Sequence, residues 1–309
     1  MKTAFLFSGQ GSQYVGMGKE LVERFPLQSK KILEAVNDTL GWDLWKTIEE
    51  GTAEELSRTR ISQPAIFTVS LIAFEAARES GIAFEGAAGH SLGEYAAMVA
   101  AGVLSLEDGC RAIKHRADAM DKAAEENPGA MAAVIGLPAD KVTEICETVR
   151  GEGNYAAAVN FNSPVQTVIA GTREGIAAAS EKAKEAGARR AVPLAVSAAF
   201  HSDLMLSAAE EFKEAVKDIT FNKPNVKFYS NVTGKELTDF SHMPELMSKH
   251  ICSPVRFTDE LNAMKNDGFD CFIELGPGKV LTGLVGKTLK EVRALNIENT
   301  ESLNAALTI

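Results

Sequence analysis

The stretch Gly89-His90-Ser91-Leu92-Gly93-Glu94 constrains this chain more than any other part of it. It is a G-x-S-x-G sequence, the pattern of a serine carried on a sharp turn between a strand and a helix. A glycine on either side lets the backbone turn steeply and keeps side-chain bulk off the hydroxyl. Ser91 would then stand exposed above a sheet, with backbone N–H groups aimed at a reacting oxygen. Three fixed positions in five also recur by chance, so the motif alone leaves a purely structural turn open. The surrounding chain has to decide.

With 309 residues, the chain exceeds the usual size of one domain and calls for a large domain with an insertion, or for two domains. Hydrophobic residues at 45% and charged residues at 24% are ordinary for a soluble globular protein. The N-terminal stretch Met1 to Phe7 is basic and then apolar, and its apolar run ends at Ser8-Gly9, too short for a signal peptide or a membrane span, so the stretch reads as a buried first strand. Cys110, Cys146, Cys252 and Cys271 lie far apart with no C-x-x-C pair. That indicates neither a zinc site nor a disulfide framework, and a reducing cytoplasm fits. A net charge of −10 disfavours nucleic acid as a partner, because phosphate binding needs a basic surface. No metal or cofactor is called for, and a monomer is expected.

After the first strand, Ser8 to Lys19 is glycine-rich but fits neither phosphate-binding motif. Gln13 stands where the first Walker glycine belongs, Glu20 follows Lys19, and G-x-G-x-x-G breaks at Tyr14. Two readings stay open: a backbone approach beside a substrate, able to supply an oxyanion N–H, or a plain turn into a helix. Leu21 to Gly51 is helical in pattern, and Pro64 is expected to open a buried helix from Ala65 to Glu79. Helices are expected from Gly93 to Gly102 and, capped by Ser105, on to about Asn127. The second carries Arg111, Lys114, His115, Arg116 and Asp118, which read first as a surface salt-bridge ladder. Helical spacing nevertheless sets Arg116 near Ala112 and Ala119, on or near a small-residue face.

Between Asn127 and Ser197 the order becomes strand, helix, strand, strand, helix, strand. That is the ferredoxin-like βαββαβ unit. The fold class expected is therefore α/β: a large α/β-hydrolase-like domain, residues 1–127 and 198–309, with a small ferredoxin-like subdomain, residues 128–197, inserted into it. A cleft between them would be the natural substrate site. A serine nucleophile needs a base. Of five histidines, His90 is adjacent to Ser91 on the turn, where side chains diverge; His115 shares a charged helix; His242 and His250 lie in later segments. His201, in Ala199-Phe200-His201-Ser202, has the best setting, at the domain junction after a strand. A capped helix start would explain the same residues.

These motifs together resemble the malonyl-CoA:acyl carrier protein transacylases of fatty acid synthesis and the acyltransferase domains of polyketide synthases. The resemblance covers essentially the whole chain. It rests on Phe7-Ser8-Gly9-Gln10-Gly11-Ser12-Gln13, on Gly89 to Tyr95, on Arg116, on Ala199 to Ser202, on Asn231-Val232-Thr233-Gly234 and on Glu274-Leu275-Gly276-Pro277-Gly278. It implies a ping-pong reaction in which Ser91 attacks malonyl-CoA, His201 takes the proton, and a malonyl-serine ester waits for the pantetheine thiol of acyl carrier protein. It further implies an oxyanion hole from Gln10 and Leu92, a carboxylate grip by Arg116, and substrate contacts from Gln63, Phe200 and His250. Phe200 before the histidine accompanies malonyl, where a serine accompanies methylmalonyl. His250 stands where the family usually has a glutamine whose backbone carbonyl orients the histidine. No carboxylate stands out as a third triad member. The alternatives are a discrete malonyl acyltransferase of a polyketide pathway, a hydrolase using the same elbow, and a carrier-binding scaffold in which Ser91 is only a turn residue.

Overall fold

The computed structural model describes residues 1–308. Ten strands lie among them: β1 (Thr3–Phe7), β2 (Gly86–Gly89), β3 (Ala130–Ile135), β4 (Ala156–Ser163), β5 (Gln166–Gly171), β6 (Arg190–Pro193), β7 (Lys227–Ser230), β8 (Lys235–Glu236), β9 (Cys271–Leu275) and β10 (Arg293–Ile297). The chain divides into two compact units.

The first unit takes in Met1–Asp118, Asp218–Ser241 and the chain from Glu260 onward. Its sheet runs β10-β9-β1-β2-β7-β8, parallel except for the β7–β8 pair. All five residues of β1 are buried. A parallel strand covered on both faces has no solvent side, which is why Thr-Ala-Phe-Leu-Phe shows no polar alternation. Phe7 ends β1 opposite Gly89 of β2 on one side and Leu275 of β9 on the other. The glycine-rich loop, the elbow and the Gly276-Pro277-Gly278 turn therefore leave the same carboxyl edge of the sheet, where open α/β sheets hold their ligands.

The small residues of the strand before the elbow have a packing cause. β2 is Gly-Ala-Ala-Gly, and a Cβ on Gly86 would lie 2.5 Å from the Phe269 ring. The expected start of the buried helix is corrected: the helix is Thr59–Glu79, with Pro64 inside it. Residues 62 to 74 of that helix are buried, and this packing sustains the turn that the missing proline N–H weakens. The helical pattern of 21–51 resolves into Lys19–Arg24, Pro26–Leu40 and Leu44–Glu50.

The second unit comprises Ala119–Lys217 and His242–Asp259. Its sheet runs β4-β5-β3-β6 with every pair antiparallel, and the helices Ala139–Gly151 and Arg173–Glu185 complete the expected βαββαβ order. Val134, Val142, Ile145, Val149, Ile169 and Ile176 form its core. The span 128–197 lies within this unit, which also holds the helices Leu206–Ala215 and Met243–Ile251, joined by a hydrogen bond from the Ser248 hydroxyl to the Ala209 carbonyl (2.7 Å). The segment after the second of these lies along β4: the Phe161 N–H donates to the Val255 carbonyl (2.9 Å), and the Val255 N–H to that of Val159 (2.8 Å). No helix among the described residues is long and apolar enough to cross a membrane.

Candidate active site

The elbow forms as the motif predicts. β2 ends at Gly89, the helix Gly93–Ala100 begins two residues after Ser91, and Ser91 sits at φ 54°, in the left-handed region. Such a backbone costs a non-glycine residue about 1–2 kcal/mol. The flanking glycines are required by close approach. A Cβ on Gly89 would lie 2.1 Å from the Gly93 carbonyl carbon, and one on Gly93 would lie 2.1 Å from the Phe7 carbonyl oxygen. We expect Gly93→Ala to destabilise the protein by about 3 kcal/mol, the upper end for overpacking, since the obstacle is backbone. A denaturation midpoint unchanged from wild type would refute this. The glycine-rich loop shares the same crowding: a Cβ on Gly9 would meet the His90 carbonyl oxygen at 2.7 Å. The loop thus packs its backbone against the elbow, and Gln10 follows Gly9 in a half-buried turn.

Arg116 leaves the charged ladder of its helix. Arg111 pairs with Asp108 and Lys114 with Asp118 at the surface, whereas Arg116 is 1% exposed. Ala112 and Ala119 are buried with it, so the small-residue face is real. Its Nη1 donates to Gln63 Oε1 (2.7 Å), its Nη2 to Ser91 Oγ (3.1 Å), and the guanidinium carbon lies 5.4 Å from the centroid of the Tyr95 ring. Burial lowers its pKa, opposed by Tyr95 and Glu94 nearby. A serine oxygen that accepts from a guanidinium has its own proton left to give.

In the second unit, His201 is 2% exposed and sits at φ 61°. Its Nδ1 lies 2.9 Å from the His250 carbonyl oxygen and 3.1 Å from that of Ser253. Carbonyls only accept, so Nδ1 carries the proton and the lone pair of the neutral ring lies on Nε2. His250 is fully buried, its ring centroid 5.4 Å from that of His201. The backbone contact expected at this position thus exists with histidine in place of glutamine. Phe200 is buried beside it, and the Ser202 hydroxyl caps the short helix Asp203–Met205. Among the described residues only Ser91, His201 and Glu291 combine a side chain with positive φ. Two of those three are the candidate nucleophile and base, and backbone strain of this kind collects at functional sites.

A family model described as "Acyl transferase domain" matches residues 4–305. The chain belongs to the acyl transferase family. The malonyl CoA-acyl carrier protein transacylase of Bacillus subtilis is 43% identical over 306 residues, covering 99% of this chain and 96% of that protein. The Escherichia coli K12 protein of the same name is 39% identical, covering 98% of each. The crystal structure of the Clostridium perfringens transacylase superposes with a TM-score of 0.94 at 37% identity, covering 100% of this chain and 96% of that one. A malonyl-transacylase solved in complex with a type II PKS acyl-carrier protein gives 0.95 at 36% identity, covering 100% and 99%.

Three buried groups of this acyl transferase have no role that its sequence motifs announce. Asn231 and Glu94 stand inside motifs, and Glu260 stands in none. The Ser91 N–H donates to Asn231 Oδ1 (2.8 Å), while Asn231 Nδ2 donates to the Gly89 carbonyl (2.7 Å) and to Glu260 Oε2 (2.9 Å). The Asn231 N–H donates to Glu94 Oε2 (2.9 Å). Burial pushes the Glu94 carboxyl up to about 7, against that hydrogen bond, one from Ser230 and the charge of Arg116. The only advance signal is Glu94 itself, a charge in the first turn of a helix that is otherwise apolar on every side. Leu92, the buried N-cap of that helix, carries the amide that follows the nucleophile.

Proposed function

We propose that this acyl transferase moves a malonyl group from malonyl-CoA to the pantetheine thiol of acyl carrier protein, supplying an extender unit for fatty acid synthesis. One observation carries the substrate class: the buried guanidinium of Arg116 lies one hydrogen bond from Ser91 Oγ. A fixed cation at the point of acyl attachment suits an acyl group with its own negative charge. A planar guanidinium can hold a carboxylate through two parallel hydrogen bonds, which a lysine cannot reproduce. The names borne by the relatives point to the same donor and acceptor.

In the proposed reaction Ser91 Oγ attacks the thioester carbonyl carbon as its proton passes to His201 Nε2. The amides of Leu92 and Gln10 hold the oxyanion. The carbon–sulfur bond then breaks, and the CoA sulfur takes the proton from His201. The second half runs in reverse with the carrier thiol, His201 removing its proton and returning one to Ser91 Oγ as the ester is cleaved. Gln63 steadies Arg116, and the bulk of Phe200 disfavours a branched C2. No cofactor enters these steps.

A transferase has to keep its ester from water until a thiol arrives. With malonyl-CoA and holo carrier protein together, malonyl-carrier is therefore expected to form much faster than free malonate, read by chromatography of both products. Free malonate released as fast without carrier as malonyl-carrier forms with it would make the protein a hydrolase and overturn the reading.

A further inference from the structure

Ser91 holds a left-handed backbone that the chain would not adopt unaided. The groups that hold it there are not among those the proposed reaction uses. The Asn231 amide spans the elbow: its oxygen takes the Ser91 N–H at 2.8 Å and its nitrogen gives one proton to the Gly89 carbonyl at 2.7 Å, two residues earlier. The same nitrogen gives its other proton to Glu260 Oε2 at 2.9 Å, and Asn231, Glu94 and Glu260 are all fully buried. A primary amide is the side chain that presents an acceptor and two donors in one plane. Aspartate cannot donate, and leucine can do neither.

We infer that Asn231, braced by Glu260, is a positioning residue that clamps the nucleophile elbow and sets the direction of the Ser91 hydroxyl. It acts through Ser91 and not on substrate. Because the Ser91 amide is engaged by Asn231, the clamp also keeps that N–H from turning toward the reacting oxygen, which leaves oxyanion binding to the amides beyond it. This inference rests on Ser91 being the acylated residue. Its predicted signature is selective: the Arg116–Gln63 pair does not depend on Asn231, so substrate affinity should survive while the chemical step suffers.

The test is rapid-quench loading of malonyl onto Asn231→Asp, Glu260→Gln and the double variant. In Asn231→Asp, one carboxylate oxygen stands where the amide nitrogen gave two protons, and a single proton shared with Glu260 leaves the Gly89 carbonyl without its donor. Loading is expected to slow by about a hundredfold, as for a displacement on the order of 1 Å, with the concentration dependence on malonyl-CoA shifted by less than about threefold. Glu260→Gln keeps an oxygen acceptor and should stay within about threefold of wild type. Added to Asn231→Asp it supplies a donor, and should recover about tenfold of the loss. Should aspartate prevent folding, Asn231→Ser removes the clamp without opposing acceptors, and the same split is expected. Wild-type loading in Asn231→Asp or Asn231→Ser, or an affinity loss equal to the rate loss, would overturn the clamp while leaving the functional reading intact. Failure of the wild-type protein to load at all would overturn the functional reading instead.

Discussion

Replacing Ser91 by alanine is expected to lower malonyl transfer by about 10⁴-fold or more, because the ester route disappears with the oxygen that carries it. The variant should otherwise remain intact. Alanine keeps the Cβ and the left-handed backbone that Asn231 holds, while the 3.1 Å hydrogen bond from Arg116 Nη2 goes with the hydroxyl. Arg116 would retain Gln63 at 2.7 Å and its place by the Tyr95 ring. Malonyl-CoA binding, followed by calorimetry, should therefore persist within a few-fold while turnover is abolished. Equal loss of binding and turnover would mean that the substitution disturbs the elbow itself. Undiminished transfer would leave Ser91 a turn residue.

Arg116→Ala is expected to separate substrates by charge. Two charge-assisted hydrogen bonds to a buried carboxylate contribute about 1.5–3 kcal/mol each. At about 1.4 kcal/mol per decade, their loss slows malonyl transfer by about 10²–10⁴-fold. An acetyl group has no carboxylate for the guanidinium to hold. Its transfer should stay steady or rise, since the variant no longer buries an unpaired cation beside a neutral acyl group. Arg116→Lys keeps the charge without the fork and should fall between wild type and alanine for malonyl. The comparison is made as kcat/KM for malonyl-CoA and acetyl-CoA on the same preparations, with melting temperature recorded because Gln63 and Tyr95 lose a buried partner. A loss of the same size for both acyl groups would assign Arg116 to the scaffold.

How much of this is legible in the sequence depends on the range of the interactions involved. The elbow was readable because Gly89, Ser91 and Gly93 are local, and because the Cβ clashes that demand glycine fall on the turn itself and on β1 beneath it. The βαββαβ order was readable for the same reason, each strand and helix carrying its own period. Pro64 misled because its local rule was overridden by a helix buried along most of its length. The helix Phe257–Asn266 was not foreseen, and with it went any hint that Glu260 lies under the elbow. Asn231 bonds a residue 140 positions away, a pairing that no spacing reveals. The support of His201 by two backbone carbonyls is equally silent in sequence, since every residue has a carbonyl. What sequence offered there was an absence, the missing third carboxylate.

Exposing the wild-type protein to malonyl-CoA without carrier, followed by intact mass and peptide mapping, shows whether Ser91 carries the acyl group. One added malonyl group per chain is expected, on the peptide that contains Ser91, discharged when holo carrier protein is supplied. An unmodified chain, or a malonyl group mapped to any other residue, would contradict it.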